Sequence, residues 1–75
     1  MTREQLIKTA SASLRYQRTI RGLSQEDLAS SLKVSKAAVS RWEKGHALPT
    51  IENAVTMAQI YGVSLTEILG LGMGA

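Results

Sequence analysis

Across residues 22–45 the chain reads GLSQEDLASSLKVSKAAVSRWEKG, and this stretch limits the fold more than any other. Ser24 is a helix-capping residue, and Gln25, Glu26 and Asp27 behind it place polar and acidic groups at the positive end of a helix dipole. Leu28, Ala29 and Leu32 then supply the inward face of a short helix. Lys33 and Val34 make a turn. Ser35 caps a further helix that is expected to run to Lys44 and end at Gly45. The pattern is two short helices joined by a tight turn.

The flanks carry the same punctuation. Thr2 followed three residues later by Gln5 is a capping box, and Leu6, Ala10 and Leu14 recur at helical spacing until Gly22, which predicts a first helix over residues 3–21. Leu48 and Pro49 form a loop, Thr50 caps a fourth helix, and Gly62 closes it after Tyr61. Ser64 with Glu67 is a second capping box, opening a brief fifth helix that Gly70 ends. No stretch alternates with period two, so no sheet is expected. The predicted class is all-α: a compact bundle of five short helices over residues 1–69, followed by a flexible glycine-rich tail over 70–75. The tail superficially resembles a phosphate-cradling glycine loop, but that chemistry needs a preceding strand and a following helix. With 44% apolar residues and no cysteine, the core must hold without disulfides or a thiolate metal site.

Charge is lopsided. The net charge is only +3, yet all nine Lys and Arg lie within residues 3–44, whereas residues 45–75 carry only Glu52 and Glu67. That distribution suits a polyanion partner for the first half and a protein partner for the second. The alternative is an ordinary solvated surface with chance clustering. No apolar run approaches the ~18 residues of a membrane span, and the first ten residues lack a signal-peptide core, so a cytoplasmic protein with no membrane partner is expected.

On a helix beginning at Lys36, steps of about 100° put Lys36, Ala37, Ser40, Arg41 and Lys44 on one side and Ala38, Val39 and Trp42 on the other. The second set is core, and Trp42 belongs to it rather than to a base-stacking surface. The first set has the qualities of a surface that reads a DNA groove. Small residues permit close approach, a serine donates or accepts, and Arg41 can bridge guanine O6 and N7, a contact worth roughly 1–3 kcal/mol of discrimination. Ala37 suits a thymine methyl, and Lys36 reaches either a base edge or a phosphate. The competing account is the exposed face of an ordinary surface helix. Met57 and Met73 need no role beyond packing and a loose tail.

Residues 14–69 resemble the Cro and phage-repressor type of helix-turn-helix domain, the XRE family. The resemblance rests on Arg18, Gly22-Leu23-Ser24-Gln25, Leu28-Ala29, Val34-Ser35, Val39-Ser40, Trp42-Glu43, Gly45 and Pro49. It implies a five-helix bundle that binds double-stranded operator DNA, usually as a two-fold homodimer, with the third helix reading bases. Carried over position by position, it implies base contacts from Lys36, Ala37, Ser40 and Arg41. Gln25 matches the family glutamine that contacts a phosphate, and Arg18 with Glu43 matches a largely buried ion pair between the first and third helices. The role of that pair is architectural. Ser35, Lys33, Lys44, His46 and Thr50 are candidates for further backbone contacts, with an ordinary loop histidine as the competing account of His46. Lys33 departs from the family pattern, which favours glycine there because the turn takes a positive φ.

An enzyme finds no support: His46 has no second histidine at ligand spacing, there is no HExxH, and no serine has a base and orienting acid beside it. No metal or cofactor is expected. A transcriptional regulator, most readily a repressor on a palindromic operator, is the leading reading. The alternative is an antitoxin that binds a protein toxin and regulates its own promoter. Val63, Leu65, Ile68, Leu69 and Leu71 are candidates either for the contact between two copies or for the core.

Overall fold

In the computed structural model, which describes residues 1–71, five helices follow one another: α1 (Arg3–Thr19), α2 (Gln25–Leu32), α3 (Lys36–Glu43), α4 (Ile51–Tyr61) and α5 (Leu65–Ile68). There is no strand among the described residues. Every helix starts where a hydroxyl residue stands. The side chains of Thr2, Ser24, Ser35, Thr50 and Ser64 each accept a hydrogen bond from the backbone N–H three residues on, all from extended backbone. Gln5, Asp27 and Glu67 return the bond, completing capping boxes on α1, α2 and α5. Each cap contributes about 1 kcal/mol.

The ends of the helices are less regular. α1 stops at Thr19, short of the expected residue 21, because Gly22 takes φ 69° and lets the N–H groups of Gly22 and Leu23 fold back onto the carbonyls of Thr19 and Arg18. α3 ends at Glu43 with Lys44 as its cap, one residue earlier than expected. Lys33 caps α2 in the left-handed region at φ 57°, the sole non-glycine residue with positive φ among those described.

All five helices feed one core. Ala10 and Leu14 come from α1, Leu28, Ala29 and Leu32 from α2, Val39 and Trp42 from α3, Ala54, Met57 and Ala58 from α4, and Ile68 from α5. Burying side chains the size of Leu14, Leu28, Val39, Met57 and Ile68, which are almost fully enclosed, stabilises the fold by roughly 1.5–3 kcal/mol each. Trp42 is buried, as its side of α3 predicts.

Of the two roles open to the last apolar stretch, packing takes most of it. Ile68 is fully buried, and Val63, Leu65 and Leu69 pack against the core, leaving Leu71 exposed. The reason is the seating of α5 on α1: Ser13 Oγ donates to the carbonyl of Glu67 at 2.9 Å, and Gly70 approaches Thr9 so closely that a Cβ there would lie 3.1 Å from its carbonyl oxygen. The large apolar side chains left exposed include Ile51 and Val55, one turn apart on α4. Ile51 also lines an apolar cleft of about 150 Å³ with Leu6, Leu48, Pro49, Ala54 and Leu69. Most of the expected glycine-rich tail, including Met73, lies outside the described residues; Gly70 and Leu71 close α5 by donating to the carbonyls of Glu67 and Thr66.

Candidate nucleic-acid interface

α3 is held by one face and free on the other. Val39 and Trp42 are buried and Ala38 packs on the core, whereas Lys36, Ala37 and Arg41 are exposed and Ser40 is half-buried between the two sides. An eight-residue helix anchored this way presents its outer face as a rigid ridge about 12 Å long, suited in width to the major groove.

The pitch of that ridge is set by a polar network at its C-terminal end. Arg18 Nε donates to Glu43 Oε2 at 2.7 Å and Arg18 Nη2 to Glu43 Oε1 at 2.9 Å, a bidentate pair between α1 and α3. The two side chains are 13% and 4% exposed, so the pair is nearly dry. Arg18 Nη1 donates to the carbonyl of Leu23, which ties in the turn before α2 as well. Burial pushes the Glu43 carboxyl up, but hydrogen bonds from Arg18 and Gln25 and the nearby Arg18 charge outweigh it and hold Glu43 below its ordinary value. The Arg18 guanidinium is shifted up, chiefly by its hydrogen bond to Glu43.

Gln25, the first residue of α2, belongs to this network: its Nε2 donates to Glu43 Oε1 at 3.0 Å. The other residues expected to make backbone contacts lie mostly in the turns before and after α3. Ser35 Oγ accepts from the N–H of Ala38 at the start of α3, which leaves its own proton free to donate outward. Lys33 sits exposed in the turn between α2 and α3. Lys44 and His46 are exposed in the turn after α3, where the N–H of His46 donates to the carbonyl of Arg41 at 2.9 Å. Thr50 is further along, capping α4 through the N–H of Asn53.

Three features were not read from the sequence. Lys36 Nζ lies 3.6 Å from Glu26 Oε1, an exposed pair that links the starts of α2 and α3. Arg21 is engaged internally, donating to Gln17 and to the carbonyl of Tyr61 with its guanidinium 4.3 Å from the Tyr61 ring centre. Arg15 joins Arg18, Gln25, Glu43 and Lys44 around a polar recess of about 230 Å³ formed by α1, α2 and the end of α3. The signal for Arg15 was present: it stands three residues before Arg18, on the same side of α1.

Two capped helices about a tight turn, with the second anchored by its inner face, match the helix-turn-helix family across residues 14–68. The chain belongs to the XRE type of that family. This helix-turn-helix domain is 38% identical over 56 residues to the HTH-type transcriptional activator BcrR of Enterococcus faecalis, an alignment covering 75% of this chain and 28% of that protein. It is 34% identical over 59 residues to the cryptic phage CTXphi transcriptional repressor RstR of Vibrio cholerae, covering 79% of this chain and 53% of the relative. The domain thus spans about a quarter of one relative and about half of the other. Its fold is similar to that of a hypothetical transcription factor, NHTF, from Neisseria, with TM-score 0.77 and 28% identity over 92% of this chain and 80% of that one.

Proposed function

We propose that this helix-turn-helix domain binds double-stranded DNA in a sequence-specific manner and acts as a transcriptional regulator, with α3 in the major groove and repression of a palindromic operator as its action. The observation that carries the reading is the two-sidedness of α3, whose inner side chains Val39 and Trp42 are buried while Lys36, Ala37 and Arg41 project outward. Arg41 reads a guanine, Ala37 meets a thymine methyl, and Ser40 and Lys36 complete the base contacts. Gln25, Ser35, Lys33, Lys44 and His46 hold the flanking phosphates. Repression is favoured by the similarity to RstR, and the similarity to BcrR makes activation the other direction.

A single short helix reads only a few base pairs, so two copies about 34 Å apart on a two-fold site supply the remaining affinity and specificity. With Ile68 committed to the core, Ile51 and Val55 beside the apolar cleft are the better surface for the second copy.

Selection of bound sequences from a random duplex library, followed by binding to the winner across a salt series, tests the reading. A palindromic consensus with steep inverse salt dependence is expected. Absence of enrichment, with only weak salt-sensitive binding, would overturn it and direct attention to a protein partner.

A further inference from the structure

Four of the five helices carry a carboxylate in their own first turn: Glu4 in α1, Glu26 and Asp27 in α2, Glu52 in α4 and Glu67 in α5. α3 carries none and opens instead on a cation, Lys36, at the end where the helix dipole disfavours one. The missing negative charge comes from the neighbouring helix, since Glu26 Oε1 of α2 lies 3.6 Å from Lys36 Nζ.

Neither capping nor stability accounts for Glu26. Asp27, next to it, closes the capping box with Ser24, whereas Lys36 is the sole polar partner of the Glu26 side chain among the described residues. The Glu26 and Lys36 side chains are 75% and 59% exposed, and ion pairs so open to water contribute little to folding. A carboxylate at the start of a helix that enters a polyanion's groove opposes binding when taken alone. Its effect on Lys36 gives it a use.

A lysine ammonium is a compact charge on a flexible stem, and beside DNA its strongest attraction is to a phosphate. With Glu26 next to it that attraction is largely spent, and a phosphate drawing near would also meet the carboxylate. An uncharged acceptor meets no such repulsion. The ammonium has three donors, so one turned towards Glu26 leaves the others free for a base edge. From this juxtaposition we infer that Glu26 is a specificity-determining residue: it withholds Lys36 from the phosphates and commits it to a base edge, that of guanine, whose O6 and N7 suit an ammonium. The inference rests on the DNA-binding reading above. Glu26 acts as a positioning residue, through Lys36 and without touching DNA itself.

The test uses the whole chain, the duplex that it selects and a scrambled duplex of equal length. Base preference and the salt dependence of binding are measured for the wild type, Glu26→Gln, Lys36→Gln and the double variant. Glu26→Gln is expected to bind the scrambled duplex more tightly, with the slope of log affinity against log salt steeper by about 0.9, the gain of one neutralised phosphate. It should also lose preference for guanine at one position of the half-site, the same position at which Lys36→Gln loses it. In the Lys36→Gln background, Glu26→Gln should change neither quantity. An equal steepening in that background would show that the carboxylate acts by general repulsion, and would overturn the inference while the DNA reading stands. Guanine preference that survives either single substitution would overturn it likewise. If the wild type selects no duplex, the DNA reading itself fails and the role of Glu26 falls with it.

Discussion

Arg18 and Glu43 meet through two hydrogen bonds of 2.7 and 2.9 Å across the junction of α1 with α3, and both side chains are almost out of reach of water. Removing either partner strands a charge. Arg18→Ala or Glu43→Ala is expected to cost about 3–5 kcal/mol, measured by urea denaturation, a large share of the roughly 4–11 kcal/mol available to a domain of this size. A loss below about 1 kcal/mol would mean that the pair is far better solvated than its burial implies.

The same pair sets the acid limit of the fold. Glu43 and Asp27 both lie below their ordinary values, Glu43 because the Arg18 and Gln25 bonds outweigh its burial, Asp27 through its bonds with the backbone and hydroxyl of Ser24. A depressed carboxylate binds its proton more readily in the unfolded chain, so its stabilisation is complete above the ordinary carboxylate range and is lost as pH falls below it. Melting temperature should therefore hold near neutrality and drop in acid. Glu43→Gln should start lower and drop less steeply, and an identical slope in the two proteins would contradict the assignment.

Arg41 and Gln25 should separate reading from gripping. Arg41 is exposed on the outer side of α3, so Arg41→Ala should leave the fold intact and flatten discrimination at one base pair by roughly 1–3 kcal/mol. Gln25→Ala should weaken all duplexes alike. The check is affinity for a panel of single-base operator variants, and an unchanged preference after Arg41→Ala would move the reading face elsewhere.

Lys33 pays a conformational penalty at φ 57°. Lys33→Gly should raise stability by about 1 kcal/mol, because the left-handed region costs a residue with a Cβ roughly that much. Thermal unfolding reads the gain, and a lower melting temperature would show that the long side chain of Lys33 contributes packing that offsets the strain.

Much of this was written locally. All five helix starts were legible because a cap involves a hydroxyl and an N–H only three residues apart, and Thr2, Ser24, Ser35, Thr50 and Ser64 each make that bond. The inward side of α3 was legible for the same reason, since the helical period alone puts Val39 and Trp42 opposite Ala37 and Arg41. Helix ends were less so: Gly22 draws the chain back over Arg18 and Thr19, shortening α1. Tertiary structure alone decided what depends on contacts between distant residues. Seating α5 on α1 through Ser13 and Gly70 committed Ile68 to the core, and bringing α1, α2 and α3 to one corner placed Arg15 and Lys44 around Gln25. Hydroxyl caps and helical periodicity act over a turn and can be read in order along the chain; burial and the convergence of charges exist only once the helices have packed, and packing was the term that settled them.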